Sequence, residues 1–447
     1  MGEGARLAPV RLQDRIDTLD LLRGVAICGI LLMNIPIMGM AGDTGSPALP
    51  ARWDANWVTW GIQTIFFEGT MRGLFTMLFG AGMLLMLRRA EGADPKVAPF
   101  DVWTRRCIAL MILGVVQWAV FIWPGEILYL YGISGLFLLP LRTARPRTLI
   151  IVGALLLAGL SWEGGQKSYA RATTLHSSVA ASAAKATGKK LTEEQEKAIK
   201  AAAKARETYH PAAKDIAKEK KDRTHLPSLW GWSWGMWYEY NISPDVWDGV
   251  LESVGFMAIG MALYRTGVLT GAASGATYAW MMAMGYGGGL GLRLFFLWFG
   301  ARTGYDFDAA KIIPAYSAFK NAAYEPVRLM ITIGHVGLLV TLWRAGALGR
   351  AVTLRSLGRM ALTVYSLQSI LTSILFYGFG YVGAFDFAGL MLTTALIWIA
   401  TALFCRLWLA RHQMGPAEAF LRAVAYQTFR RRQRAGADAV LATAPAV

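Results

Sequence analysis

Apolar residues come in this chain as blocks of about 20, the length at which an α-helix crosses the hydrocarbon core of a bilayer. Blocks bounded by charge or by Gly and Pro are read at roughly 21–40, 67–87, 107–123, 126–141, 147–161, 246–264, 277–299, 326–343, 360–379 and 388–409. The expected fold class is therefore all-α, a polytopic transmembrane bundle of about ten helices. Composition agrees: 55% of the 447 residues are hydrophobic and only 17% are charged, against about 25% in soluble domains. Leu21–Met40 exceeds the apolar core of a secretory signal and contains Arg23, Asn34 and Pro36, so it is read as a retained helix.

The net charge of +16 would suggest a nucleic-acid partner in a soluble chain, but its placement points to a membrane. With the first helix running outward, the short segments on the starting side hold twenty-three Lys and Arg, and those on the far side hold four. The four are Arg52, Arg302, Lys311 and Lys320. This is the positive-inside bias, which predicts both termini in the cytoplasm and an even number of spans. The expected organisation is a five-helix bundle over 1–161, an extracytoplasmic insertion over 162–245, a second five-helix bundle over 246–414 and a basic cytoplasmic tail over 415–447. Cys28, Cys107 and Cys405 lie in apolar blocks with no CxxC spacing and read as small core residues.

The insertion carries 14 Lys and Arg and includes an Ala/Lys/Glu-rich stretch of strong helix formers from Ala180 to Lys221. Either this charge meets an anionic partner such as lipid headgroups, or it belongs to a solvated helix with pairs such as Glu193–Lys197 and Glu196–Lys200. Its tail, Trp230 to Tyr240, is an interfacial aromatic belt, and Trp53 to Phe67 reads as a second surface-lying stretch.

An ionisable group at mid-bilayer costs on the order of 3 kcal/mol and must face protein or water. Asn34, Glu68, Arg72, Gln117, Glu126, Asp248, Glu252, Arg293, Glu325 and Arg328 all fall in the outer third of their helices or at its outer boundary, which suggests a polar cavity open to the outside. Glu68–Arg72 and Glu325–Arg328 have the i,i+4 and i,i+3 spacings of helix ion pairs. Two readings stand: internal pairs that hold helices together, or a site whose surplus carboxylates (Glu126, Asp248, Glu252) bind a hydroxyl or amine or take its proton. Arg328, Thr332 and His335 form one stripe. If His335 serves proton transfer, its ring is expected to face Tyr365, Gln368 or Ser369 on the next helix. Arg23, Arg105, Arg106, Arg355 and Arg359 sit at the cytoplasmic ends, where they either grip phosphates or serve only as topology signals. The chain lacks GxxxxGK[ST], HExxH and GxSxG motifs and any metal-ligand spacing. Gly285 to Gly291 reads as a close helix contact or a broken helix.

Three stretches carry a resemblance: 15–34 with Leu22-Arg23-Gly24-Val25-Ala26; 68–82 from Glu68 through Arg72; and 358–369 with Gly358-Arg359 and Tyr365-Ser366-Leu367-Gln368-Ser369, followed by Gly415-Pro416-Ala417-Glu418. They are similar to the YeiB family of bacterial membrane proteins, which carries the domain of unknown function 418, and this implies a bacterial inner-membrane location. The Leu-Arg-Gly-x-Ala opening also resembles membrane acyltransferases that pass an acyl group from a cytoplasmic thioester to an outer-face acceptor. That resemblance implies an acyl-CoA donor held at Arg23 and Arg359. Enzymes of the sugar O-acyl type carry a histidine eleven residues after this arginine, whereas Asn34 stands there in this chain. Activation of the acceptor would then fall to His335, Glu68 or Glu252, with Asn34, Arg72, Glu126, Arg328, Tyr365, Gln368 and Ser369 binding it. The competing reading is a transporter or exporter that uses the same charges as a path. Membrane lipids and a small-molecule or lipid substrate are the expected partners, and nucleic acid is not.

The orientation is testable. A cysteine placed at Ala201 should react with an impermeant thiol reagent on intact cells, and protection of that cysteine would overturn the assigned sidedness.

Overall fold

The computed structural model describes residues 16–42, 54–91, 99–209, 211–303 and 311–426. Arg6, Arg11, Arg15, Arg52, Trp53, Lys96 and the tail from residue 427 onward lie outside the described residues. Among the described residues all regular structure is helical. The first half comprises α1 (Asp17–Gly39), α2 (Ala55–Ile62), α3 (Thr70–Glu91), α4 (Pro99–Ala119), α5 (Leu128–Phe137) and α6 (Pro146–Ala186). The insertion adds α7 (Glu193–Tyr209), α8 (Ala213–Asp222) and α9 (Leu226–Asn241). The second half comprises α10 (Val246–Arg265), α11 (Gly275–Met282), α12 (Gly291–Thr303), α13 (Pro314–Ala322), α14 (Tyr324–Arg344), α15 (Val352–Arg359), α16 (Ala361–Ser373), α17 (Phe387–Leu409) and α18 (Pro416–Ala425).

Among the described residues, eight helical runs are long and apolar enough to cross a membrane, so the chain is a polytopic helical membrane protein. The other two expected blocks are helical but differently built. In 126–141 the α-helix covers only Leu128–Phe137 and then tightens into a 3-10 turn, Leu139–Thr143. Pro140, which has no N–H to give, sits in that turn. The block at 277–299 joins α11 to α12 through a π-helical segment, Ala283–Leu290, which carries Gly285, Gly287, Gly288 and Gly289. The stretch read as surface-lying, Trp53 to Phe67, instead leads through α2 and a π turn, Gln63–Phe67, almost directly into α3.

The helix ends sort into two layers. At one, Arg265 donates to the Arg142 and Ala144 carbonyls, Arg344 to Ala273 O at 2.8 Å, and Arg355 pairs with Asp17. Basic residues from several short connections thus meet at one end. At the other end lies the insertion. Helix α6 has 41 residues, roughly 61 Å at 1.5 Å per residue, about twice the hydrocarbon thickness of ~30 Å. It therefore runs on past position 161, and α7 packs back along it. Glu193–Lys197 forms as spacing suggests, at 2.7 Å.

The insertion is anchored by Arg223, which is 1% exposed. Its guanidinium donates to the carbonyls of Ile37, Met38 and Met40 at 3.1, 2.5 and 2.5 Å, capping the C-terminus of α1. It pairs with Glu219 at 3.0 Å and lies 4.2 Å from the Trp232 ring centroid. Glu219 in turn accepts from Gly42 N at 2.9 Å. A cation at a helix C-terminus meets the negative end of its dipole, so this contact ties the insertion to the bundle electrostatically as well as by packing.

Two glycines let α3 and α10 approach until their backbones meet. A Cβ on Gly80 of α3 would collide with the backbone of Met257, and one on Gly260 of α10 with that of Met77. Gly260→Ala should therefore lower the melting midpoint of the detergent-solubilised protein, at a cost of about 1–3 kcal/mol. Gly82→Ala, where nothing lies within 4 Å, should leave it unchanged or slightly raised.

Candidate functional site

Where α3, α10 and α14 meet, a carboxylate is caught between two guanidinium groups. Glu252 of α10 is 6% exposed. Its Oε2 accepts from Arg72 of α3, and its Oε1 from Arg328 of α14. Arg328, 1% exposed, also pairs with Glu325 at 3.3 Å and stacks over Phe256 at 4.5 Å from the ring centroid. The hydroxyls of Thr76 and Tyr131 bond to each other one turn along α3, and Thr332 donates to Thr70 O at 3.3 Å. Charges in an apolar bundle persist only when paired and hydrogen-bonded, and here Arg72, Glu252 and Arg328 each have a partner on another helix.

The expected Glu325–Arg328 pair is present, but the Glu68–Arg72 pair is not found among the described residues. The reason is local. Glu68 ends the π turn with ψ 117, and Gly69 follows at φ +69, so the helical register between positions 68 and 72 is lost. Arg72 turns instead to Glu252. Nor does Asn34 join this group: α1 meets the 63–72 run about one turn earlier, through Gln63 Nε2 donating to Leu32 O at 2.6 Å and Gly29 packed on Met71.

His335 is placed differently from expectation. Its Nε2 lies 2.8 Å from Phe66 O and its Nδ1 3.0 Å from the Tyr286 hydroxyl. A carbonyl only accepts, so Nε2 carries the proton and Nδ1 accepts from Tyr286. Helix α14 packs on the α11–α12 run and α3, while α16 packs on α1 and α17, which keeps Tyr365, Gln368 and Ser369 away from this ring. Arg293 completes the arrangement by donating to the carbonyls of Thr64, Ile65 and Glu68 at 3.0–3.1 Å. Together His335 and Arg293 satisfy carbonyls at the break between α2 and α3.

The remaining polar candidates form a second group. Tyr365 accepts from Trp123 Nε1 at 3.1 Å and Ile127 N at 3.2 Å, and Gln117 donates to Ser369 at 2.8 Å. Glu126 accepts from Leu128 N at 2.6 Å, Tyr129 N at 3.1 Å and Trp237 Nε1 at 3.3 Å, so it caps the start of α5. Ile122 at φ +52 makes the turn that sends Trp123 inward, a strained conformation for a β-branched residue. Tyr365, Gln368, Ser369 and Thr372 are all buried, as an interior α16 requires. No hydrogen bond or ion pair among the described residues joins this group to Glu252.

At the basic end, Arg23 pairs with Asp20 at 2.9 Å and reaches Gly358 O at 3.4 Å, and Arg359 donates to Gln413 O at 3.0 Å. Glu418 accepts from Leu362 N, Thr363 N and the Thr363 hydroxyl. The Leu-Arg-Gly, Gly358-Arg359 and Gly415-to-Glu418 stretches are thus joined in space. Gly24 lies against Leu354, and Gly358 against Asp20 and Gly24, which lets α1 and α15 touch.

The Glu252 cluster borders a groove of about 220 Å³ between α6, α10 and α14, lined by Glu163, Lys167, Asp248, Glu252, Tyr324 and Glu325 among others. Lys167 pairs with Glu163 at 2.8 Å and Asp248 at 3.3 Å. Glu325 Oε2 is buried without a hydrogen bond. Among the described residues no three His, Cys, Asp or Glu side chains gather to hold a metal. Tyr131, Tyr286 and Tyr324 were not expected here. Each stands in or beside an apolar run, where a tyrosine resembles any other core aromatic; only the packing gives the Tyr131 and Tyr286 hydroxyls their partners and sets the Tyr324 ring beside Arg328.

Residues 263–428 match the family model described as "Protein of unknown function (DUF418)". The chain is 27% identical over 435 residues to the uncharacterized protein YxaH of Bacillus subtilis, covering 94% of this chain and 96% of YxaH. It is 26% identical over 449 residues to the uncharacterized protein YeiB of Escherichia coli, covering 91% and 94%. No solved structure matches.

Glu252→Gln should destabilise the bundle by about 3–5 kcal/mol, because two guanidinium groups are left short of charge in an apolar setting. Replacing Arg72, Glu252 and Arg328 together with Met, Leu and Met should recover most of the loss, both read as melting midpoints in detergent. A neutral single variant would remove the ion cluster's structural role.

Proposed function

We propose that this chain, a member of the DUF418 family of membrane proteins, is an inner-membrane protein with cytoplasmic termini that binds a hydroxyl- or amine-bearing acceptor in the α6–α10–α14 groove and acylates it from a cytoplasmic thioester. The observation that carries this reading is the groove's charge pattern. Glu163, Asp248, Glu252 and Glu325 face it with Lys167 as the lining cation, which suits a polar substrate with protons to donate. Glu252 is held by two arginines, so it orders the site. Glu325, whose Oε2 has no hydrogen bond and is paired with Arg328 only as an ion at 3.3 Å, is the group that takes the acceptor's proton. The bond formed is an ester or amide, the bond broken is the thioester, and the proton leaves with the thiolate as free thiol. His335 has both ring nitrogens engaged and acts by positioning the α2–α3 break beside the groove.

Arg23 and Arg359 are already engaged with Asp20, Gly358 and Gln413, so the donor's grip is not assigned to them. That engagement favours a second reading, in which the groove is the outer mouth of an export path for a small molecule or lipid.

Proteoliposomes supplied with acyl-CoA on the cytoplasmic face and candidate hydroxyl or amine acceptors on the other separate the two. Acyl transfer should release free thiol only when the acceptor is present, and Glu325→Gln should slow that release by about 100-fold or more, the range of a general base. Movement of labelled acceptor without thiol release would support export instead, and full thiol release by Glu325→Gln would exclude its assigned role.

A further inference from the structure

A larger cavity, about 560 Å³, lies at the insertion end between α8, α9 and the C-terminus of α1. It belongs to none of the groups above. Its floor is the Arg223 contact: Arg223 and Glu219 both line it, but they are spent on each other and on the α1 carbonyls and Gly42 N. What the cavity offers a ligand is therefore Asp215, Asp222 and Lys218, with Trp232, Met236 and Tyr240 as its wall. Asp215 and Asp222 are half-buried, and among the described residues neither has a cationic partner. In a chain of net charge +16, this pocket keeps a surplus of one negative charge once Lys218 is set against the two aspartates.

The wall has a regular origin. Trp232, Met236 and Tyr240 recur at i, i+4 and i+8 on α9 and face the cavity. Trp230, Trp234 and Tyr238, on another face of the same helix, are exposed. Exposed Trp and Tyr settle at the headgroup level of a bilayer, so α9 holds the cavity at that depth. The floor already shows what the wall prefers, since the Arg223 guanidinium stacks on Trp232 and stands 5.4 Å from the Tyr377 ring centroid. Aromatic faces beside unpaired carboxylates attract an organic cation and disfavour a free anion.

We propose that this cavity is a binding site for a primary or quaternary amine at the outer membrane surface, with Asp215 and Asp222 holding the ammonium group and Tyr240 and Trp232 enclosing it. The amine belongs either to a zwitterionic lipid headgroup or to a soluble molecule. Lys218 separates the two, because it would meet the phosphate of a headgroup and has nothing to meet on a free amine. Since Gly42 N and the α1 carbonyls bond to the same Glu219–Arg223 pair that floors the cavity, an occupant would bear directly on the outer end of α1.

The test uses the full chain in nanodiscs and in detergent. Phosphatidylethanolamine should bind about tenfold more tightly than phosphatidylglycerol by native mass spectrometry, and ethanolamine should bind measurably by calorimetry. Asp215→Asn with Asp222→Asn should weaken both amines by about tenfold or more, the size of one charge-assisted hydrogen bond. Tyr240→Ala, at a position 54% exposed, gives a variant whose folding is not at risk and should weaken both several-fold. Lys218→Ala should weaken the lipid alone if the source is a headgroup, whereas an unchanged lipid preference with retained ethanolamine binding assigns a soluble amine. Equal binding of the two lipids together with no binding of ethanolamine, or unaltered affinities in the double and Tyr240 variants, would overturn the proposal.

Discussion

The arrangement of this bundle depends on a single requirement: ionised side chains within apolar helices must find opposite charge before the helices can close. Glu252 meets it by accepting from Arg72 and Arg328, and so it joins α3, α10 and α14. Arg328 is the more deeply held of the two guanidinium groups, 1% exposed in its side chain against 40% for Arg72. The pair with Glu252 alone would be a weak source of stability once desolvation is counted. Its larger effect is on specificity, since any other register of the three helices would strand a charge. The glycine contacts act in the same direction, because Gly80 and Gly260 let α3 and α10 approach until backbone meets backbone.

A second theme is how the backbone is interrupted and then satisfied. The run from α2 to α3 breaks at Glu68 and Gly69, and the carbonyls freed there are taken by Arg293 and His335. One of these donors lies just past the π-helical segment Ala283–Leu290 and the other is bonded to Tyr286 within it. Two irregular segments therefore support each other through side chains on α12 and α14. In an apolar environment an unpaired carbonyl costs several kcal/mol, so the interruption at Glu68 and Gly69 persists only because these donors are in place. The α1 C-terminus follows the same logic, with Arg223 of the insertion as its cap. The insertion is part of the bundle's hydrogen-bond economy and not an appendage.

Much of the fold was legible in the sequence because the bilayer imposes a length and a polarity on every span. Apolar blocks marked the helices, and the arginines that charge counting placed on one side meet at one end of the bundle, as Arg355–Asp17 and Arg265–Ala144 illustrate. Depth along the helices also puts Glu252, Arg328 and Glu325 at one level. Partner choice was not legible. The i,i+4 rule assigned Arg72 to Glu68, but that rule assumes an unbroken helix, and Gly69 at positive φ removes the assumption. The chain order points the His335 ring towards α16, but helices that follow one another in sequence need not pack together, and the ring is held by Tyr286 and Phe66. Arg223 lay among the insertion's 14 basic residues with nothing local to distinguish it.

Sequence by itself therefore determined which segments are helices, which ends are basic and which buried side chains carry charge, because solvation by lipid or water acts on each residue separately. Tertiary structure decided which carboxylate meets which guanidinium, which histidine nitrogen holds the proton, and that two grooves border these charges. Those outcomes depend on distances between residues far apart in the chain, such as Glu252 and Arg328 or Arg223 and Met38. No local pattern encodes such distances, since they are set only when every helix has found its neighbours and left no charge unpaired.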